Sequence, residues 1–101
     1  MDKIFKALAD KNRRKMISLL RENEMSVNQI LKNFDISQAT VSNHLGILRK
    51  ADLVTFVVKG KQRIYKLNIE LLQAFVERLN KFSETNSSRL LKSDMGIRGR
   101  K

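Results

Sequence analysis

The sequence contains no cysteine, no proline and no tryptophan, and it has a single histidine and only four glycines. Without thiols there is no disulfide framework, no thiolate metal site and no thiol redox switch, a composition compatible with a cytoplasm. The glycines stand scattered at positions 46, 60, 96 and 99, so no glycine-rich phosphate loop forms. The lone His44 has no evident acidic partner, which removes the usual nucleophile and base pairings of an enzyme. Long apolar runs are missing too: no stretch approaches the ~18 residues of a membrane span, and the opening residues from Met1 to Lys6 lack the apolar centre of a signal peptide. The expectation is a chain neither exported nor inserted into a membrane.

Negative charge is also scarce. Ten Asp and Glu face 21 Lys and Arg, a formal net charge of +11, and such an excess favours an acidic polymer as partner. Hydrophobic residues make up 42%, too many for a wholly disordered basic tail. One compact domain fits the length. A domain this small buries only about 60–70% of its unfolded surface, so a second subunit would help to stabilise it.

Ile4, Phe5 and Leu8 share one face of a short first helix, and Asp10 is placed to cap a second that runs to about Arg21 with Met16, Ile17, Leu19 and Leu20 inside. After a turn at Glu22, Asn23 and Glu24, Ser26 and Gln29 have the spacing of a capping box. It opens a third helix through about Phe34, with Val27, Ile30, Leu31 and Phe34 on one side. Only Asp35 and Ile36 then precede Ser37, the cap of a fourth helix built on Val41, Leu45 and Leu48. Helices joined so tightly cross steeply, as in a helix-turn-helix.

Beyond Asp52 the period changes to alternation. Val54, Phe56 and Val58 point one way and Thr55 and Val57 the other. Gly60 and Lys61 make the turn, and Gln62 to Leu67 return, giving a two-stranded ribbon with a basic tip. Asn68 caps a last helix with the apolar stripe Ile69, Leu72, Phe75, Val76, Leu79 and Phe82. The expected fold is therefore mainly α with a β-hairpin wing (α+β), a winged helix-turn-helix of order ααααββα. From residue 83 the periodicity fails, and residues 83–101 read as a basic, flexible C-terminal tail.

A helix that reads the major groove needs small or hydrogen-bonding side chains at its N-terminal end, because base edges present donors, acceptors and a thymine methyl there. Ser37, Gln38, Ala39, Thr40, Ser42, Asn43 and His44 supply that set. Lys59, Lys61, Gln62 and Arg63 place donors at the ribbon tip, where they either reach DNA or merely guard a sheet edge. Lys11, Arg13, Arg14 and Lys15 crowd the start of the second helix, an unfavourable place for cations. They are either phosphate contacts or a solvated run. The tail from Thr85 carries five cations against Asp94 and either adds phosphate contacts or is idle.

Several of these stretches together resemble the ArsR/SmtB family of winged-helix repressors: Phe5 to Asp10, Arg13, Arg14, Ile17, Leu19 and Leu20, then Ser37 to Ser42 with His44, Leu45, Leu48, Arg49, Ala51, Leu53 and Val54, and finally Gly60, Arg63, Tyr65 and Leu67. The similarity covers about residues 2 to 82. It implies a homodimer joined through first and last helices, here Ile4, Phe5, Leu8, Leu72, Phe75, Val76, Leu79 and Phe82. Packing of that last stripe within one subunit is the other reading. It further implies repression, possible autorepression included, by binding an imperfect palindrome in double-stranded DNA. Residues 1–82 then form the DNA-binding and dimerisation domain of a cytoplasmic, nucleoid-associated protein.

Where the family's heavy-metal sensors carry a cysteine pair, this chain has Ser26 and Asn28; on the last helix it has Glu70 and Glu77 but no His. Neither set suits a soft metal or zinc. The expectation is no metal and no cofactor, with release by a protein or small-molecule effector or by none. Two rival readings stay open: a sequence-tolerant architectural or packaging protein, and a protein-interaction module working through the last helix.

Overall fold

A computed structural model describes residues 2–83, and the chain falls into two compact units, Met1–Leu71 and Leu72–Lys101. The first contains α1 (Asp2–Leu8), α2 (Lys11–Glu22), β1 (Met25–Ser26), α3 (Val27–Leu31), α4 (Gln38–Lys50), β2 (Val54–Lys59) and β3 (Gln62–Leu67). The last helix, α5 (Ile69–Phe82), begins in the first unit and ends in the second. All but the first residue of the expected tail lies outside the described residues.

No glycine ends α1. Its last carbonyls are instead taken by side chains of α2: Arg13 Nε donates to Ala7 O at 2.7 Å, Arg13 Nη2 to Lys6 O at 3.1 Å, and Arg14 Nη1 to Leu8 O at 2.7 Å. Cations belong at the carbonyl end of a helix, so the basic run that is unfavourable for α2 is favourable for its neighbour. Lys15 follows the same logic, donating to Asn33 O at 2.7 Å while lying 4.7 Å from the centre of the Phe34 ring.

The caps expected from sequence are in place. Asp10 accepts from the backbone N–H of Asn12 and Arg13, Ser26 and Gln29 form the reciprocal capping box, and Ser37 accepts from Thr40 N–H. The third helix is shorter than its periodicity suggests. It stops at Leu31 because Asn33 and Phe34 turn their N–H groups back to Ile30 and Leu31, and the Asn33 amide takes the Gln29 carbonyl. Such local side-chain bonds compete with helix, so five residues rather than two separate α3 from the cap Ser37.

Met16 and Leu20 of α2, Ile30 of α3, and Val41, Leu45 and Leu48 of α4 are buried. Truncating Leu45 to Ala would cost about 2–5 kcal/mol and loosen the helix it anchors. Helix α4 ends in a paired turn, with Asp52 N–H bonded to Arg49 O and Leu53 N–H to Leu48 O. Asp52 occupies the left-handed region at φ 63, the place glycine usually takes.

The ribbon is three-stranded rather than two-stranded. Its order is β1-β3-β2, all antiparallel, with Met25 opposite Tyr65 and Phe56 opposite Tyr65 from the other side. The alternation along β2 holds at its base, where Val54 is buried and Thr55 exposed; near the tip Val58 is exposed because the strand outruns the core. Gly60 makes the turn with φ 63, a conformation it adopts without steric cost. Except for the added β1, this is the expected order of a winged helix-turn-helix.

Candidate nucleic-acid interface

Burial of Val41, Leu45 and Leu48 fixes which side of α4 meets solvent. Gln38, Ala39, Ser42 and Asn43 are exposed on it. Ser37 and Thr40 are exposed as well, but they serve the helix start: Ser37 Oγ lies 3.1 Å from Thr40 N and 2.9 Å from Thr40 Oγ1. His44 is the exception among the sequence candidates. It is buried with 9% exposure, and its Nδ1 lies 3.1 Å from Arg13 Nη1. A guanidinium can only donate, so Nδ1 is the acceptor in this pair.

Between α4 and the hairpin runs a cleft of about 410 Å³. Gln38, Ser42, Gly46 and Arg49 form its helical wall. Steps of four, four and three residues keep them near one row. Lys61, Gln62 and Arg63 face them from the hairpin, while Ser26 and Asn28 lie at the start of α3. Arg49, Lys50, Lys61 and Arg63 line the cleft, and among the described residues no carboxylate does. Lys59 lies on the same hairpin, exposed and opposite Gln62 in register, but does not line it.

Phe56 organises the cations. Its ring centre lies 5.0 Å from the Arg49 guanidinium, 4.6 Å from that of Arg63 and 5.4 Å from the Tyr65 ring centre. Each such cation–ring contact contributes about 0.5–1 kcal/mol at an exposed site and restricts a long side chain before any ligand arrives. Sequence reasoning passed over Gly46, Arg49 and Lys50. The signal was available, because Arg49 is seven residues beyond Ser42 and so returns to the same face.

At the start of α2, the Arg13 backbone N–H holds the Asp10 carboxyl below its ordinary pKa of 3.8; the Asn12 N–H adds to this, and desolvation opposes it. Of the residues expected to join two subunits, Ile4 and Phe75 are buried, Leu8 and Leu72 are half-buried, and Phe5, Val76, Leu79 and Phe82 are exposed. Among the described residues, no group of three or more His, Cys, Asp or Glu side chains could hold a metal ion. Nor is any described helix long and apolar enough to cross a membrane.

Residues 10–55 match the family described as bacterial regulatory protein, arsR family. The transcriptional repressor SdpR of Bacillus subtilis (strain 168) is 38% identical over 73 residues, 72% of this chain and 81% of that one. The arsenical resistance operon repressor of Staphylococcus aureus is 32% identical over 83 residues, 82% of this chain and 80% of that one. Among solved structures, HlyU from Vibrio cholerae N16961 superimposes with a TM-score of 0.67 at 29% identity, covering 79% of this chain and 87% of its own. With α4 and the basic hairpin in the arrangement described above, these similarities establish that the chain belongs to the arsR family of bacterial regulatory proteins, DNA-binding transcriptional regulators of the helix-turn-helix type.

Proposed function

We propose that the chain is a homodimeric, operator-specific repressor that reads an imperfect palindrome and is released by something other than a metal or a thiol oxidant. The observation that carries this reading is the exposed row of α4, Gln38, Ala39, Ser42 and Asn43, beside a cleft that is lined, among the described residues, by four cations and no carboxylate. The row offers amides that pair with adenine and a methyl that meets thymine, while the cations supply sequence-independent attraction to phosphates. His44, buried against Arg13, is left out of the base-reading set.

In a dimer the two α4 helices would lie in successive major grooves roughly 34 Å apart. Dimerisation is supported by large apolar side chains exposed on two elements, Phe5 on α1 and Val76, Leu79 and Phe82 on α5. An effector other than a metal or oxidant is supported by the absence of cysteine and by Ser26 and Asn28 at the start of α3.

The test is recovery and sequencing of sheared genomic fragments retained by the purified protein near physiological salt, with its mass in solution measured alongside. A shared palindrome bound by a dimer supports the reading. Retention without common sequence moves the assignment to a packaging protein, and a monomer that still selects sequence removes the palindrome.

A further inference from the structure

Two guanidiniums from different elements rest on one ring. Arg49, near the end of α4, and Arg63, on β3, lie 5.0 and 4.6 Å from the centre of Phe56. Arginine stays charged in proteins, and the cleft that these two line adds Lys50 and Lys61 and, among the described residues, no carboxylate. Gathering like charges raises the Coulomb energy, and an anion shared between them turns that cost into attraction. The ring holds both groups in place beforehand, which reduces the ordering left to binding.

Gly46 is a second, independent observation. It stands in the interior of α4, where glycine is a poor helix former, and a Cβ built on it would meet no atom of the described residues within 4 Å. Folding therefore gives no reason for a glycine here. The cleft gives one, since Gly46 lines it between Ser42 and Arg49, and a missing side chain lets another backbone approach closely.

We propose that this cleft seats one DNA phosphodiester, held jointly by Arg49 and Arg63 above a floor formed by Gly46. The assignment rests on the DNA-binding reading above and adds to it a register. The seated phosphate lies beside Gln38 and Ser42 on the same row, so a contact without sequence information positions those that carry it.

The test is a salt series of binding to a short mixed-sequence duplex, followed by anisotropy, which needs no knowledge of the operator. Arg49→Ala and Arg63→Ala should each weaken binding roughly tenfold and lower the slope of log K against log salt by ~0.9, the value of one phosphate. The double variant should lose no more slope than either alone. Losses that add to about twice that value would assign two separate phosphates and overturn the shared seat.

Gly46→Ala should melt at or above the wild-type temperature yet bind the duplex several-fold more weakly; unchanged affinity removes the floor. Inorganic phosphate distinguishes a free anion from a phosphodiester. It should displace duplex no better than chloride at matched ionic strength, and stronger displacement that the double variant lacks would give the site to a small anion instead. Wild-type protein that binds no duplex sinks the DNA reading itself. Wild type that binds, with variants indistinguishable from it, sinks the seat alone.

Discussion

The Arg13 guanidinium donates to His44 Nδ1 at 3.1 Å, and the same side chain closes the carbonyl end of α1 through Lys6 and Ala7. One residue of α2 thus holds both the N-terminal helix and the helix that faces the cleft. Three acceptors around one planar fork make an arrangement that an ammonium cannot reproduce.

Replacing Arg13 should therefore be costly far from any ligand. Arg13→Ala is expected to destabilise the fold by about 2–3 kcal/mol, with Arg13→Lys intermediate, read as a lower urea midpoint at unchanged m-value. A loss below about 0.5 kcal/mol, the range of an ordinary surface change, would show that these bonds contribute little in solution.

His44 and Asn43 are neighbours in sequence with opposite surroundings, and their variants should separate accordingly. His44→Ala should lower stability by about 1–3 kcal/mol through the stranded partner while leaving base preference intact. Asn43→Ala should keep stability within about 0.5 kcal/mol and relax preference at one base pair by about 1–3 kcal/mol. Selected-duplex competition beside thermal melting reads both, and a His44→Ala protein with altered base preference would put the imidazole back on the reading face.

Asp10 supplies a pH dependence whose sign is fixed. Its folded pKa lies below the ordinary 3.8, chiefly through the Arg13 N–H, so its contribution is fully present above 3.8 and fades as pH falls through the lower folded value. Asp10→Ala should unfold at lower denaturant than wild type at neutral pH, and the two midpoints should converge in strong acid. A gap that persists there would mean that the carboxylate is not the stabilising form.

Asp52 is a place to gain stability. It carries φ 63 at the end of α4, with its backbone carbonyl taken by the Asn68 amide at 2.9 Å, and Asp52→Gly keeps that bond while removing the left-handed strain. The expected gain is ~0.5–1 kcal/mol, a rise of about 4 °C in melting temperature for a domain of this size. A lower melting temperature would mean that the aspartate side chain stabilises the turn.

What could be read in advance was whatever is decided within a few residues. Asp10, Ser26 and Ser37 announce their helices because their oxygens bond amides two or three positions ahead, and Gly60 with the alternation before it announces the hairpin. The misses have non-local or masked causes. Strand β1 exists only because Met25 and Ser26 meet Tyr65 and Ile64 from a remote segment. His44 completes the inward row of Val41, Leu45 and Leu48, yet its polarity argues for the outside until the donor from Arg13 is known. Arg49 and Lys50 needed only helical arithmetic on α4, but Phe56, the ring that Arg49 shares with Arg63, becomes relevant only once the strands are beside that helix.

Ser26 is at once the residue that pairs with Ile64 of the hairpin and the cap that starts α3. A helix of five residues does not persist by itself, so α3 is held at its cap by the ribbon. The hairpin is in this sense no detachable accessory. A minimal reader made by excising it would lose the support of the helix-turn-helix along with the basic tip, and transplanting α3 and α4 into another scaffold requires a strand to stand in for β3.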